Sequence, residues 1–232
     1  MHLLAFDTST DTLSIAVQRG DAVWEHNGPG GAQASATLIA AMFGLLEQAE
    51  LDLAQLDALV FGRGPGSFTG LRTACAVAQG LAFGANAGRG IAVLPIDTLA
   101  AVAEQARHQH GCTEVVAVLD ARMDEVYAAR YQWQASAWHS VGDLCLSAPQ
   151  DVQAPPGWIV AGNAQPPYGE RLAPGARHVH ALPSGVALLR LAPSLLATGH
   201  AVTAAQAQPL YIRDKVAQTT AERAAARAGL GR

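Results

Sequence analysis

The period of apolar positions changes several times along the chain, and each change marks an element. Residues 2–6 form a short unbroken apolar run ended by Asp7-Thr8-Ser9-Thr10, the pattern of a buried strand and its polar turn. Residues 13–18 alternate in part, Gly20-Asp21 signals a tight turn, and residues 22–25 begin again. Strand, turn, strand, turn, strand predicts an antiparallel meander. Gly28, Gly30 and Gly31 predict a loop. From 33 to 50 the spacing lengthens to a helical one, with Leu38, Met42, Leu45 and Ala49 on one side and Ile39, Phe43 and Leu46 widening it. Residues 56–61 predict a second buried strand, running into a glycine-rich loop at 62–70. A helix over 71–85, a strand over 91–94 and a helix over 97–108 follow.

Three antiparallel strands leading into alternating helices and strands is the order of a ribonuclease H-like or actin-like half-domain. The pattern restarts at 115–119, with Asp120-Ala121-Arg122 as a turn and a further strand over 126–132, which suggests a duplicated fold. After Trp138, prolines from Pro149 to Pro193 cut the chain into short elements. Residues 157–162 read as strand and turn. Residues 184–198 read as a helix that Pro193 must bend or end. The Ala/Arg-rich end predicts a frayed helix or tail.

Half of the 232 residues are apolar, enough to bury a core in one domain or two small lobes. Charged residues are only 15%, and small residues fill the gap, which leaves surface for a partner to cover. The net charge is −4 and no stretch is dense in Lys or Arg; Arg223, Arg227 and Arg232 in the tail are a weak exception. Nucleic-acid binding needs basic surface to displace counterions, so this chain alone is expected to have little affinity for RNA. Cys75, Cys112 and Cys145 are odd in number and form no CxxC, which argues against a disulfide framework or zinc knuckle. No signal-peptide pattern opens the chain, and the uncharged run at 73–88 is too short and too rich in Gly, Gln and Ala to span a bilayer. A cytoplasmic protein without a membrane role is expected.

Two stretches offer phosphate chemistry. The turn Asp7, Thr8, Ser9 between strands could give hydroxyls and amides to a phosphate and a carboxylate to a metal's water shell. The plainer reading is a hydrogen-bonded turn. The loop containing Gly64, Gly66, Ser67 and Thr69 could bring backbone amides and a helix N-terminus to an anion; the plainer reading is a capped strand-to-helix turn. It lacks the lysine of a P-loop, and Ser67 does not sit in GxSxG. His108-Gln109-His110 and His178-Val179-His180 are HxH pairs, expected to be solvated, and no HxxxH or HExxH occurs. Asp120 and Arg122 either pair with each other or face a cleft. No catalytic residue, metal site or cofactor is expected.

The segments LLAFDTST at 3–10, GRGPGSFTGLR at 62–72, DARMDEVYAARY at 120–131 and Pro209-Leu210-Tyr211-Ile212-Arg213 resemble the TsaB family, in order and spacing, over nearly the whole chain. The resemblance implies an α/β, actin-like ATPase (ASKHA, ribonuclease H-like) fold of two lobes, each a mixed sheet flanked by helices. The lobes are placed at 1–103 and 104–216, with a tail at 217–232. It implies a non-catalytic subunit needed for threonylcarbamoyl transfer to adenosine 37 of tRNAs reading ANN codons. Such a subunit supports the catalytic paralogue TsaD together with the ATPase TsaE, reaches tRNA only through the complex, and forms a homodimer when alone. The missing HxxxH fits, since the paralogue's metal ligands lie in such a motif. One departure is Ala34-Ser35, where the family usually has His-Ser.

No charged residue occurs from 26 to 46 or from 73 to 88, so both helices there lack the charged outer face of a monomer's surface helix. A helical interface with TsaD is expected, built from Leu38, Ala41, Met42 and Leu45 on one helix and Leu71, Ala74, Ala78 and Leu81 on the other. The alternative is that both helices are central and covered on two sides. A small-molecule kinase of the same fold would need a catalytic Asp and a late adenosine-binding glycine motif, for which Gly162-Asn163 is a poor candidate. A metalloprotease-like enzyme would need a metal or nucleophile constellation.

Overall fold

The computed structural model describes residues 1–31, 34–88 and 90–213. The tail expected at 217–232 and the helix start expected at Gln33 lie outside the described residues.

The first half contains β1 (His2–Asp7), β2 (Thr12–Arg19), β3 (Ala22–Pro29), α1 (Ala34–Gln48), β4 (Ala58–Gly64), α2 (Phe68–Gly84), β5 (Ala92–Asp97) and α3 (Thr98–His110). The second contains β6 (Glu114–Arg122), β7 (Glu125–Gln134), β8 (Ala137–Ser140), β9 (Cys145–Ser147), β10 (Ile159–Gly162), α4 (Gln165–Tyr168), β11 (Arg177–His180) and α5 (Gly185–Ala197). The predicted order of the first hundred residues is the observed one. Two details differ. β3 runs on through Gly28 to Pro29, because its full length pairs antiparallel with β2. The loop expected at 62–70 shrinks, because Gly62 and Gly64 belong to β4 and Thr69 and Gly70 to α2.

The first sheet has the order β3-β2-β1-β4-β5, antiparallel through the meander and parallel from β1 to β5. Alternation in β1 sends Leu4 and Phe6 to one face and Leu3 and Ala5 to the other, all fully buried. Each large side chain so buried contributes about 1.5–3 kcal/mol. α1 and α2 cover the Leu4/Phe6 face with Leu38, Met42, Leu45, Ala74 and Ala78. α5 covers the other with Leu188, Leu189 and Ala192. Gly185 opens α5 because a Cβ there would meet the Ala16 amide nitrogen at 2.6 Å. α5 continues through Pro193 to Ala197 rather than ending at it, which leaves the Leu189 carbonyl without its intrahelical donor.

The second sheet has the order β11-β10-β6-β7-β8, with β9 also on β7. α3 lies between the sheets. Leu99, Val102, Ala103 and Ala106 enter the second sheet's core, while Ala101 joins the core shared with α5. Its buried Glu104 is matched by two hydrogen bonds of 2.9 Å from Arg107 and one of 3.0 Å from the Trp138 indole. The sequence boundary at 103 therefore falls inside a helix that serves both lobes, and α5 from the second half packs on the first sheet. No helix among the described residues is long and apolar enough to cross a membrane.

Candidate functional site: an interlobe cleft and an uncharged helix face

A cleft of about 280 Å³ opens between the lobes. Ser9, Thr10 and Asp11 from the β1–β2 turn and Gly66, Ser67 and Phe68 from the start of α2 line one wall. Asp120, Arg122, Tyr127 and Asn163 line the other, and Leu210 to Arg213 complete the lining.

The residues expected to form a phosphate cradle are brought together, but they serve each other. Asp7 is buried. Its Oδ1 accepts from the Ser9 amide (2.8 Å) and hydroxyl (2.6 Å), and its Oδ2 from the Thr98 hydroxyl (3.3 Å). A Cβ at Gly62 would overlap that same Oδ2, so β4 seals the carboxylate from the cleft. Thr8 donates to the Gly70 carbonyl (2.7 Å), and the Ser67 amide donates to the Ser9 carbonyl (2.8 Å). Ser67 Oγ caps α2 by accepting from the Gly70 amide. Gly64 is buried and Thr69 lies exposed on α2; of the expected set, only Ser9, Gly66 and Ser67 line the cleft. An actin-like ATPase fold implies a magnesium nucleotide here, and these residues do not fit one. The carboxylate is covered and the Ser67 amide is taken. Among the described residues no three His, Cys, Asp or Glu are grouped to hold a metal.

Burial is the main cause that raises the Asp7 carboxyl above its ordinary value of 3.8, opposed by the Ser9 and Thr98 hydrogen bonds. A raised folded value means that Asp7 favours the folded state fully below 3.8 and loses that contribution as pH rises through the folded value. Thermal melts from pH 3.5 upward should therefore show the wild type losing stability relative to Asp7→Asn. A difference independent of pH would mean that the carboxyl is not held up by burial.

The second lobe's wall is also self-contained. Asp120 pairs with Arg122 at 3.1 Å, its amide donates to Asn163 Oδ1 (2.9 Å), and its Oδ1 accepts from the Tyr168 hydroxyl (2.7 Å). Burial first, then the Asp120 hydrogen bond and charge, push the Tyr168 phenol up to about 12. Gly162 is a packing glycine: its φ is 151° and a Cβ there would overlap the Val118 carbonyl. Arg122, Met123 and Asp124 all have φ near +60° at the hairpin tip between β6 and β7. Ion pairs brace that tip, Arg122 with Asp11 (2.8 Å) and Asp124 with Arg171 (2.6 Å). Sequence reading missed Tyr168 and the role of 210–213 as a cleft wall. The one signal for the latter was the apolar run at Pro209-Leu210-Tyr211-Ile212.

The residues expected to form the partner interface are mostly placed inward. Leu38, Met42, Leu45, Leu71, Ala74 and Ala78 are buried in this chain's own core, and Ala41 and Leu81 are half-buried against it. The reason is packing: these are the sides of α1 and α2 that meet the sheet. The outward side includes Ala36, Ile39, Ala40 and Phe43 beside Ser35 and Thr37 on α1, and Ala76, Gly80 and Phe83 on α2, with Glu47 and Arg72 exposed nearer the helix ends. Ile39 and Phe43 are each 46% exposed and Phe83 is 75% exposed.

A protein-family model described as TsaD, tRNA N6-adenosine threonylcarbamoyltransferase, matches residues 31–227. The tRNA threonylcarbamoyladenosine biosynthesis protein TsaB of Escherichia coli K12 is 32% identical over 227 residues, 94% of this chain and 96% of its own. This chain belongs to the TsaB family. YeaZ from Pseudomonas aeruginosa has the same fold, with a TM-score of 0.83 and 37% identity over 90% of this chain and 99% of that one. A second solved chain from that organism, described by its similarity to a peptidase YeaZ, superposes with the same score over 91% of this chain.

Proposed function

We propose that this chain acts in tRNA threonylcarbamoyladenosine biosynthesis as a non-catalytic subunit. It binds the catalytic paralogue TsaD, works with the ATPase TsaE, and supports threonylcarbamoyl transfer to adenosine 37 of tRNAs reading ANN codons. Its place is the cytoplasm.

The observation that carries this reading is the outward side of α1 and α2. Ile39, Phe43 and Phe83 stand exposed among small residues, and no charge occurs from 26 to 46 or 73 to 88. Exposed apolar surface of this kind marks an interaction site, and small residues let a partner's helices approach closely. The same face closes a homodimer when the paralogue is missing, as an isologous patch does. The sealed Asp7 and the self-satisfied loops support a role in binding rather than chemistry. Support of TsaD then requires that the chain bind TsaD's active conformation better than its inactive one.

The test is reconstitution. With TsaD, TsaE and the enzyme that makes the activated threonylcarbamoyl group held constant, adding this chain is expected to raise modification of a tRNA transcript at least tenfold. The chain alone should modify nothing. Full activity without it, or modification by it alone, would refute the proposal.

A further inference from the structure

We propose that segment 207–213 is a clamp strap that ties the two lobes together across the cleft and fixes the angle between them. It does with the chain's own residues what a ligand held by both walls would otherwise do.

On the first lobe the strap is fastened at three levels. The Ala207 carbonyl accepts from Gln79 Nε2 (2.8 Å) and Cys75 Sγ (3.4 Å) on α2. The Leu210 amide donates to the Arg63 carbonyl (2.7 Å) at the end of β4. The Tyr211 ring packs on Phe68 with centroids 5.3 Å apart, and its hydroxyl accepts from Arg72 Nε (3.3 Å), whose guanidinium lies 3.9 Å over the same Phe68. Close approach depends on Gly64, with φ of 121°, where a Cβ would meet the Leu210 carbonyl at 2.6 Å. β4 therefore carries a glycine where the strap needs one.

On the second lobe Ile212 packs against the core under β6 and β7. Arg213, only 15% exposed, pairs with Glu125 and also donates to the Arg122 carbonyl (3.4 Å) and Met123 Sδ (3.5 Å). One side chain thus grips the whole hairpin tip. The other ion pair across the cleft, Arg122 with Asp11, is 68% and 84% exposed and is screened by salt. The partly buried Arg213 pair is the stronger bond. The lobes also share α3, which α5 packs against, so the cleft is where they separate when the strap is released.

Hydrogen exchange of the purified chain tests this without any partner, so its outcome is independent of the TsaD reading. In the double variant Tyr211→Ala, Arg213→Ala, amides at 66–72 and 119–127 are expected to lose protection at least about tenfold, while those of β1 and of residues 58–61 keep theirs. Wild-type protection at 66–72 and 119–127 in a folded double variant overturns the proposal. Should that variant fail to fold, Glu125→Gln decides, since it removes the ion pair but keeps the volume. A local loss of about threefold or more at 119–127 supports the strap, and no loss overturns it.

Discussion

Ala76→Glu combined with Phe83→Asp is expected to leave the chain folded and to weaken capture of TsaD at least about 100-fold, with a matching loss of tRNA modification. Both positions are exposed in this chain, Phe83 at 75%, so surface substitution there should change stability by no more than about 0.5 kcal/mol. In the complex the same carboxylates would be stripped of water against an apolar surface. Factors of 100 correspond to about 2.7 kcal/mol, well within the cost of a buried unpaired charge. Leu38→Ala and Met42→Ala provide the contrast. They empty a core position, should cost about 2–5 kcal/mol, and would weaken binding only through unfolding. Thermal melts beside a titration of the paralogue separate the two cases. Wild-type affinity in the folded double variant would mean that TsaD docks elsewhere.

That contrast also marks where the sequence stopped being informative. α1 and α2 were legible as helices from spacing alone, and the absence of charge raised the expectation of a covered face. Their orientation was not legible. A helix is oriented by its charged stripe, and α1 carries none before Glu47, so Leu38 and Ile39 look alike in the sequence although one is buried and the other is 46% exposed. In the first half, strands announced themselves because β1 and β4 are unbroken apolar runs. In the second half β8, β9 and β11 are only 4, 3 and 4 residues long, too short for a period to emerge. The cleft was half legible. Asp7 and Ser9 bond locally, two residues apart, but the Ser67 amide reaches the Ser9 carbonyl across more than 50 residues of chain, which no local pattern reveals.

Gly70→Ala should be among the most damaging single methyl groups in this protein. Alanine is ordinarily the better helix former by about 1 kcal/mol, and Gly70 lies in the first turn of α2. Here its Cβ would overlap the Thr8 carbonyl, part of the backbone that anchors the β1–β2 turn to α2. Backbone cannot swing aside as a side chain does, so the clash should outweigh propensity and cost about 3 kcal/mol or more. Gly80→Ala is the matched control. It lies in the same helix, exposed, with nothing within 4 Å of a Cβ, and should stabilise the chain by about 0.5–1 kcal/mol. Urea denaturation of the two variants should give opposite signs. A Gly70→Ala chain as stable as wild type would mean that the turn and α2 are not held in this contact.

The position of α3 has a consequence for how the protein comes apart. Because its two flanks complete two different cores, neither half of the duplicated fold owns everything it needs. A fragment ending at 103 would lose both half of that helix and the α5 lid over its own sheet. The two sheets repeat one strand order, but they are not separable as material: the chain should melt in one all-or-none transition.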